Sequence, residues 1–246
     1  MIDLIHGDCL ELMKSIPDKS IDMVLTDPPY GTTACKWDVI IPFEPMWEQL
    51  KRIIKDNAAI CLFGSEPFSS QLRLSNLKQF KYDWIYQKSH AVGFLNCKKQ
   101  PLGEHEIVSV FNSKVYYPQL LDKPKQNIRP KTLKPRLTDS YGNFKHGDTR
   151  TIPLDKTYPK SVIKFNRDQK KFHPTQKPVA LLEYLVKTYT LENETVLDFT
   201  MGSGSTGVAC KNLNRKFIGI EKDEKYFEIA KNRIESHNSQ GLGSSE

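Results

Sequence analysis

The chain has 246 residues, 38% of them hydrophobic and 26% charged, with a net charge of +7 at neutral pH. That length holds one large α/β domain with a substantial core and a small inserted module. There is no run of about 18 apolar residues, the N-terminus enters a strand-like stretch almost at once, and five scattered cysteines show no paired spacing, so the composition speaks against a membrane span, a signal peptide, a disulfide framework and a zinc site. No metal is implied, and a cytoplasmic protein is expected.

In chain order, Met1 to Ile5 reads as a short strand and Leu10 to Ile16 as a helix closed by Pro17. The apolar run Ile21 to Thr26 is a buried strand, Pro45 to Lys55 an amphipathic helix and Ala58 to Phe63 another buried strand. A helix over Pro67 to Leu77 precedes strands at Tyr82 to Gln87 and Ile107 to Phe111, expected to be antiparallel neighbours at one edge of the sheet. Periodicity then fades. It returns in a helix over Val179 to Tyr189, a strand over Thr195 to Phe199, a helix over Val208 to Leu213, a strand over Lys216 to Ile220 and a helix over Glu224 to Ile234. Seven strands with helices between them predict a doubly wound, mostly parallel α/β sheet. The expected divisions are 1–112, an insert at 113–170, 171–236 and a loose tail at 237–246.

Two motifs carry the chemistry. Asp27-Pro28-Pro29-Tyr30 ends the second strand. Two prolines lack backbone N–H groups and fix φ, so the carbonyls of Asp27 and Pro28 are expected to face outward as acceptors for an amino group. Tyr30 offers a flat face to a planar base. Downstream, strand, glycine loop and helix follow one another at Asp198-Phe199-Thr200-Met201-Gly202-Ser203-Gly204-Ser205-Thr206-Gly207, and the next strand ends in Glu221, where a carboxylate can accept both hydroxyls of a ribose. No Lys-Ser or Lys-Thr pair follows the last glycine, which excludes a Walker loop. Strands ending at Asp27 and Asp198 should therefore be neighbours at a topological switch point.

Between residues 112 and 171 there are fifteen Lys or Arg and five Asp, so the positive charge is concentrated there and the rest of the chain is slightly acidic. With Tyr and Phe interleaved, this segment is expected to track phosphates, with Lys123, Lys125, Arg129, Lys131, Lys134 and Arg136 as candidate phosphate contacts.

Taken in this order, the motifs resemble the DNA amino-methyltransferases that use S-adenosylmethionine, in the permuted arrangement with the catalytic motif ahead of the cofactor motif. His6-Gly7-Asp8-Cys9-Leu10 is similar to the family segment whose Asp holds the cofactor adenine, and Phe172-His173-Pro174-Thr175-Gln176-Lys177-Pro178 to the one lining its methionine end. The resemblance implies catalysis by Asp27, Pro28, Pro29 and Tyr30. It implies cofactor contacts by Asp8, Lys177, Asp198, Phe199, Gly202, Gly204, Thr206 and Glu221, with no role for Thr200 or Met201. Double-stranded DNA is the implied partner, and a homodimer and a cognate restriction endonuclease are further partners it admits.

Asp at position 27 resembles the adenine-N6 group more than the cytosine-N4 group. Cytosine C5 methylation needs a thiolate nucleophile, and no Pro-Cys pair exists. The same motifs also admit methylation of an RNA or protein amine, and the glycine loop with Glu221 admits an NAD-dependent oxidoreductase. An adenine target has to be flipped out of the duplex to enter such a site.

Overall fold

The computed structural model describes residues 1–33, 35, 38–124, 153, 155–173 and 175–237. Lys125, Arg129, Lys131, Lys134 and Arg136, and the tail from residue 238 onward, lie outside the described residues. The chain divides into a main unit, Met1–Tyr117 with Ser161–Glu246, and a smaller one, Pro118–Lys160.

The main unit begins with β1 (Ile2–His6), α1 (Cys9–Leu12), β2 (Ile21–Thr26), α2 (Phe43–Ile53), β3 (Ile54–Gly64), α3 (Phe68–Ser75), β4 (Phe80–Val92) and β5 (Gly103–Phe111). The smaller unit holds β6 (Leu121–Asp122) and β7 (Lys156–Thr157), an antiparallel pair carrying a Lys156–Asp122 ion pair at 2.5 Å. The main unit resumes with β8 (Val162–Phe165), α4 (Val179–Tyr189), β9 (Thr195–Asp198), α5 (Ser205–Asn212), β10 (Lys216–Glu221) and α6 (Glu224–Ser236).

Among the described residues, eight strands form one sheet in the order β1-β10-β9-β2-β3-β5-β4-β8. The seven expected strands are all present. The eighth, β8, pairs parallel with β4 and occupies the edge expected for the β4–β5 pair. It lies inside the stretch read as the insert. Only Ile163 of its four residues is buried, too little for a periodic signal. The first helix is also shorter than expected, because Met13–Ser15 tightens into a 3-10 turn.

Both faces of the sheet are covered, as a parallel sheet requires. Alternation along β2 and β3 divides the core: Met23, Leu25, Ala59, Cys61 and Phe63 pack with α4, α5 and α6, while Val24, Ala58, Ile60 and Leu62 pack with α2 and α3. On the α4 side Tyr189 is fully buried. Its hydroxyl accepts the Trp84 indole N–H at 2.7 Å and lies 2.9 Å from the Tyr82 hydroxyl. This joins α4 to the antiparallel part of the sheet. Among the described residues no helix is long and apolar enough to cross a membrane.

Tyr189→Phe leaves the buried indole N–H without its acceptor and should cost about 1–3 kcal/mol of stability, read from the urea midpoint at unchanged slope. An unchanged midpoint would mean that the indole finds another partner.

Candidate active site

The catalytic and cofactor motifs meet because β2 and β9 are parallel neighbours, with Met23 beside Val196 and Val24 beside Leu197. At the carboxyl ends of these strands the Thr26 hydroxyl donates to Asp198 Oδ1. The second oxygen of Asp198 accepts from Thr206 on α5 at 2.6 Å, and the Thr200 N–H also reaches Oδ1 at 3.2 Å. Burial lifts the Asp198 carboxyl to about 6 against these hydrogen bonds. Asp198 and Thr206, expected as cofactor contacts, both line the cleft, but their polar atoms join β2, β9 and α5.

Asp27 follows directly. Its Oδ1 accepts the Tyr30 hydroxyl and its Oδ2 the Lys177 ammonium. Lys177 is buried, and Nζ also lies 3.1 Å from Glu106 on β5, which in turn pairs with Lys88 on β4 at 2.6 Å. Two carboxylates and two ammonium groups thus alternate along one line. Burial opposes the charge on Lys177, but the Asp27 and Glu106 carboxylates outweigh it and hold Lys177 above the ordinary lysine value. Burial, reinforced by the Glu106 charge, raises Asp27 despite Lys177. Glu106 is also raised by burial, yet Lys177 and Lys88 together bring it below its ordinary value, so it is the more firmly ionised carboxylate.

The rigidity of the Pro28-Pro29 turn has a second source. Asp38 accepts the backbone N–H groups of Tyr30, Gly31, Thr32 and Thr33 at 2.8, 2.9, 2.9 and 2.7 Å. Burial raises its carboxyl, but these donors more than compensate and keep it below the usual range. Tyr30 stacks on Phe68 with ring centroids 5.1 Å apart, so one of its faces is already covered. The Asp27 carbonyl, expected to be open, accepts the Thr200 hydroxyl at 3.2 Å. Among the described residues nothing donates to the Pro28 carbonyl.

On the other side of the cleft, Glu221 is oriented by two backbone donors at 2.8 Å, Gly202 N–H to Oε2 and Asp223 N–H to Oε1, while burial raises its carboxyl. Gly202 has φ 51°, and a Cβ there would meet nothing within 4 Å, so its backbone is open to a ligand. Gly204 differs. At φ 77° its Cβ would lie 3.0 and 3.1 Å from Ala230 Cβ and Cα, so this glycine admits α6. Asp8 caps α1 through Leu10 N–H at 3.0 Å and meets Lys222 at 3.0 Å, a contact that holds its carboxyl low.

A cleft of about 560 Å³ gathers Asp8, Asp27, Pro29, Lys177, Asp198, Phe199, Gly202, Thr206 and Glu221 from the expected set. Pro28, Tyr30 and Gly204 are not among the residues that line it. Sequence reading missed Thr26, Asp38, Lys88 and Glu106, and gave no role to Thr200 and Met201. Thr200 bridges the two motifs, and Met201 lines the cleft with its N–H bonded to the Ile220 carbonyl at 2.9 Å. Thr26 could have been found from its place at the end of an apolar strand beside Asp27; Asp38, between Trp37 and Val39, and Glu106, in a polar stretch, carry no local signal.

The family model described as a DNA methylase, of the N6/N4 amino-methyltransferases, matches residues 21–232. The type II methyltransferase M2.LlaDCHI of Lactococcus lactis subsp. cremoris is 29% identical across 97% of this chain and 91% of that protein. The DNA adenine methyltransferase YhdJ of Escherichia coli (strain K12) is 28% identical across 94% and 82%. Among solved structures, that of an M1.HpyAVI–SAM complex superposes with a TM-score of 0.62 at 26% identity, covering 95% of this chain and 100% of the other. The PvuII DNA methyltransferase (cytosine-N4-specific) shares the fold with a TM-score of 0.66 at 15% identity, over 97% and 87%. A match running from the catalytic strand to the last helix, on a sheet that brings both motifs to one cleft, means that this chain belongs to the N6/N4 family of DNA methylases.

Proposed function

We infer that this protein methylates the exocyclic N6 amine of adenine in double-stranded DNA, using S-adenosylmethionine. The observation that carries the reading is the Asp27 carboxylate at the end of β2, facing the same cleft as Glu221 and Gly202. The cleft suits such a cofactor. Glu221 has one lone pair on each oxygen left for a ribose hydroxyl, the backbone at Gly202 is open, and Asp8 adds a second carboxylate at the cleft wall. When bound, S-adenosylmethionine supplies a methyl group activated by its sulfonium sulfur.

The residues of the chain then have to hold and polarise the amine. Its lone pair is delocalised into the adenine ring, which makes it a poor nucleophile. Donation of its two hydrogens to the Asp27 carboxylate and the Pro28 carbonyl favours a pyramidal nitrogen, with the lone pair exposed. Fixed placement within about 3–3.5 Å of the methyl carbon supplies the remaining advantage. Asp in place of Ser at position 27, and the adenine methyltransferase among the relatives, favour adenine. Methylation of cytosine N4 is the second reading, favoured only by the shared fold of the cytosine-specific enzyme. Relatives named as type II methyltransferases support a role in restriction and modification.

The basic stretch between residues 112 and 171 is assigned the DNA backbone, through Lys123, Lys125, Arg129, Lys131, Lys134 and Arg136. The flipped base reaches the cleft from the strand so held.

Asp27→Ala should lower methyl transfer to DNA by orders of magnitude while S-adenosylmethionine affinity stays within a few-fold, measured by tritium transfer and calorimetry. Equal loss of both would count against the assignment. Glu221→Gln should weaken cofactor binding by about 1–3 kcal/mol, because the amide turns a donor toward donors. NAD should compete poorly for the same site. Replacing the six basic residues by Gln should weaken DNA binding on every sequence and reduce the log–log salt slope by about 0.9 for each phosphate no longer neutralised, with cofactor affinity unchanged. An unaltered slope would place the DNA grip on the catalytic unit.

A further inference from the structure

The Asp27 carboxylate that the proposed reaction needs as an acceptor is engaged on both oxygens, by the Tyr30 hydroxyl and the Lys177 ammonium. Each oxygen keeps one lone pair, but a target amine that donates to Asp27 Oδ2 competes there with the Lys177 ammonium. An ammonium this deeply buried cannot simply be released, because an unpaired buried charge is costly. The structure holds its alternative partner. Glu106 Oε2 is buried and has no aligned hydrogen-bond donor among the described residues, although Lys177 Nζ lies 3.1 Å away. Glu106 Oε1 is taken by Lys88 at 2.6 Å. At 3.1 Å, Nζ is already within ion-pair distance of Oε2.

We propose that Lys177 and Glu106 are positioning residues: Lys177 occupies the amine's place on Asp27 while no base is bound, and passes to Glu106 Oε2 when the flipped base enters. The ammonium stays paired with a carboxylate throughout, so its buried charge is never left without a partner while Asp27 is freed for the amine. The phenyl ring of Phe63, 5.1 Å from Nζ, lies beneath the ammonium along the cleft wall. Lys88 sets the balance, because it competes for Glu106. This inference rests on the amine-methylating function proposed above.

The groups facing this cluster define its pH dependence. Asp27 faces Tyr30, Lys177, Glu106 and Asp198. Lys177 faces Asp27, Glu106 and the His173 ring, and Glu106 faces Lys88, Lys177 and Tyr86. Asp27 accepts the amine only when ionised, so transfer is lost as pH falls through its pKa. Removing the negative charge of Glu106 lowers that pKa, and the acid limb moves to lower pH. Removing Lys88 frees Glu106 to hold Lys177, Asp27 loses its cation, and the limb moves to higher pH.

The test uses the full chain, tritium-labelled S-adenosylmethionine and unmethylated phage DNA. A parent protein that binds the cofactor but methylates no DNA would remove the functional reading, and this proposal with it. With an active parent, Glu106→Gln should bind the cofactor as the parent does, transfer about tenfold or more slowly at neutral pH, and show an acid limb shifted down. Glu106→Asp should recover much of the rate. Lys88→Gln should shift the limb up, and decides the matter alone if Glu106→Gln does not fold. A Glu106→Gln protein with the parent's rate and pH profile would overturn the proposal. So would a slower one with an unmoved limb, or a Lys88→Gln limb that stays in place or moves down.

Discussion

The hydrogen bond from Thr26 to Asp198 joins positions 172 residues apart and fixes the distance between the two motifs. Thr26 precedes the catalytic turn by one residue and Asp198 opens the glycine loop. Any shift of β2 against β9 would therefore separate Asp27 from the glycine loop. Asp198 secures the same point to α5 through Thr206, and Thr200 closes the circuit by donating to the Asp27 carbonyl. Three threonines and one buried carboxylate thus act together as a rigid joint. The oxygens of Asp198 accept from these donors, which offset part of the cost of burying its carboxylate.

The cleft is electrostatically divided. The side assigned to the cofactor has Asp8, Asp223 and Glu221, with Lys222 near the rim, and the side assigned to the base has Asp27 and Lys177, backed by Glu106 and Lys88. Acidic groups suit a cationic cofactor, whereas the row of paired charges presents little net field to a neutral base. That division follows from topology, since the first set lies at the ends of β1 and β10, whereas Asp27 follows β2, Lys88 and Glu106 belong to β4 and β5, and Lys177 precedes α4.

What could be read in the sequence is what a short window contains. Strands such as Ile21–Thr26 are mainly apolar and buried on both faces, and the chemistry-bearing residues sit where those runs end. The adjacency of β2 and β9 was also legible, because ligand sites in open sheets lie at switch points. Partners supplied from afar were not. Asp38 looks like an ordinary loop residue until four backbone N–H groups converge on it, and Glu106 lies in the polar stretch Gly103-Glu104-His105-Glu106. Gly204 shows the opposite error: a spacing that suggested ligand approach serves the packing of α6. Strand β8 is too short, and too exposed at Val162 and Lys164, to announce itself.

The order of strands in the sheet also sets the order of events during synthesis. By the time Phe111 leaves the ribosome, β2 can pair with β3, but its other edge waits for β9, which begins at Thr195, and β1 waits for β10. At translation rates of about 5–20 residues per second, the β9 edge of β2 stays open for roughly ten to thirty seconds after β2 itself is made. An unpaired apolar edge of that kind is a template for the wrong neighbour. The nascent N-terminal half thus carries that exposed edge until its second half arrives.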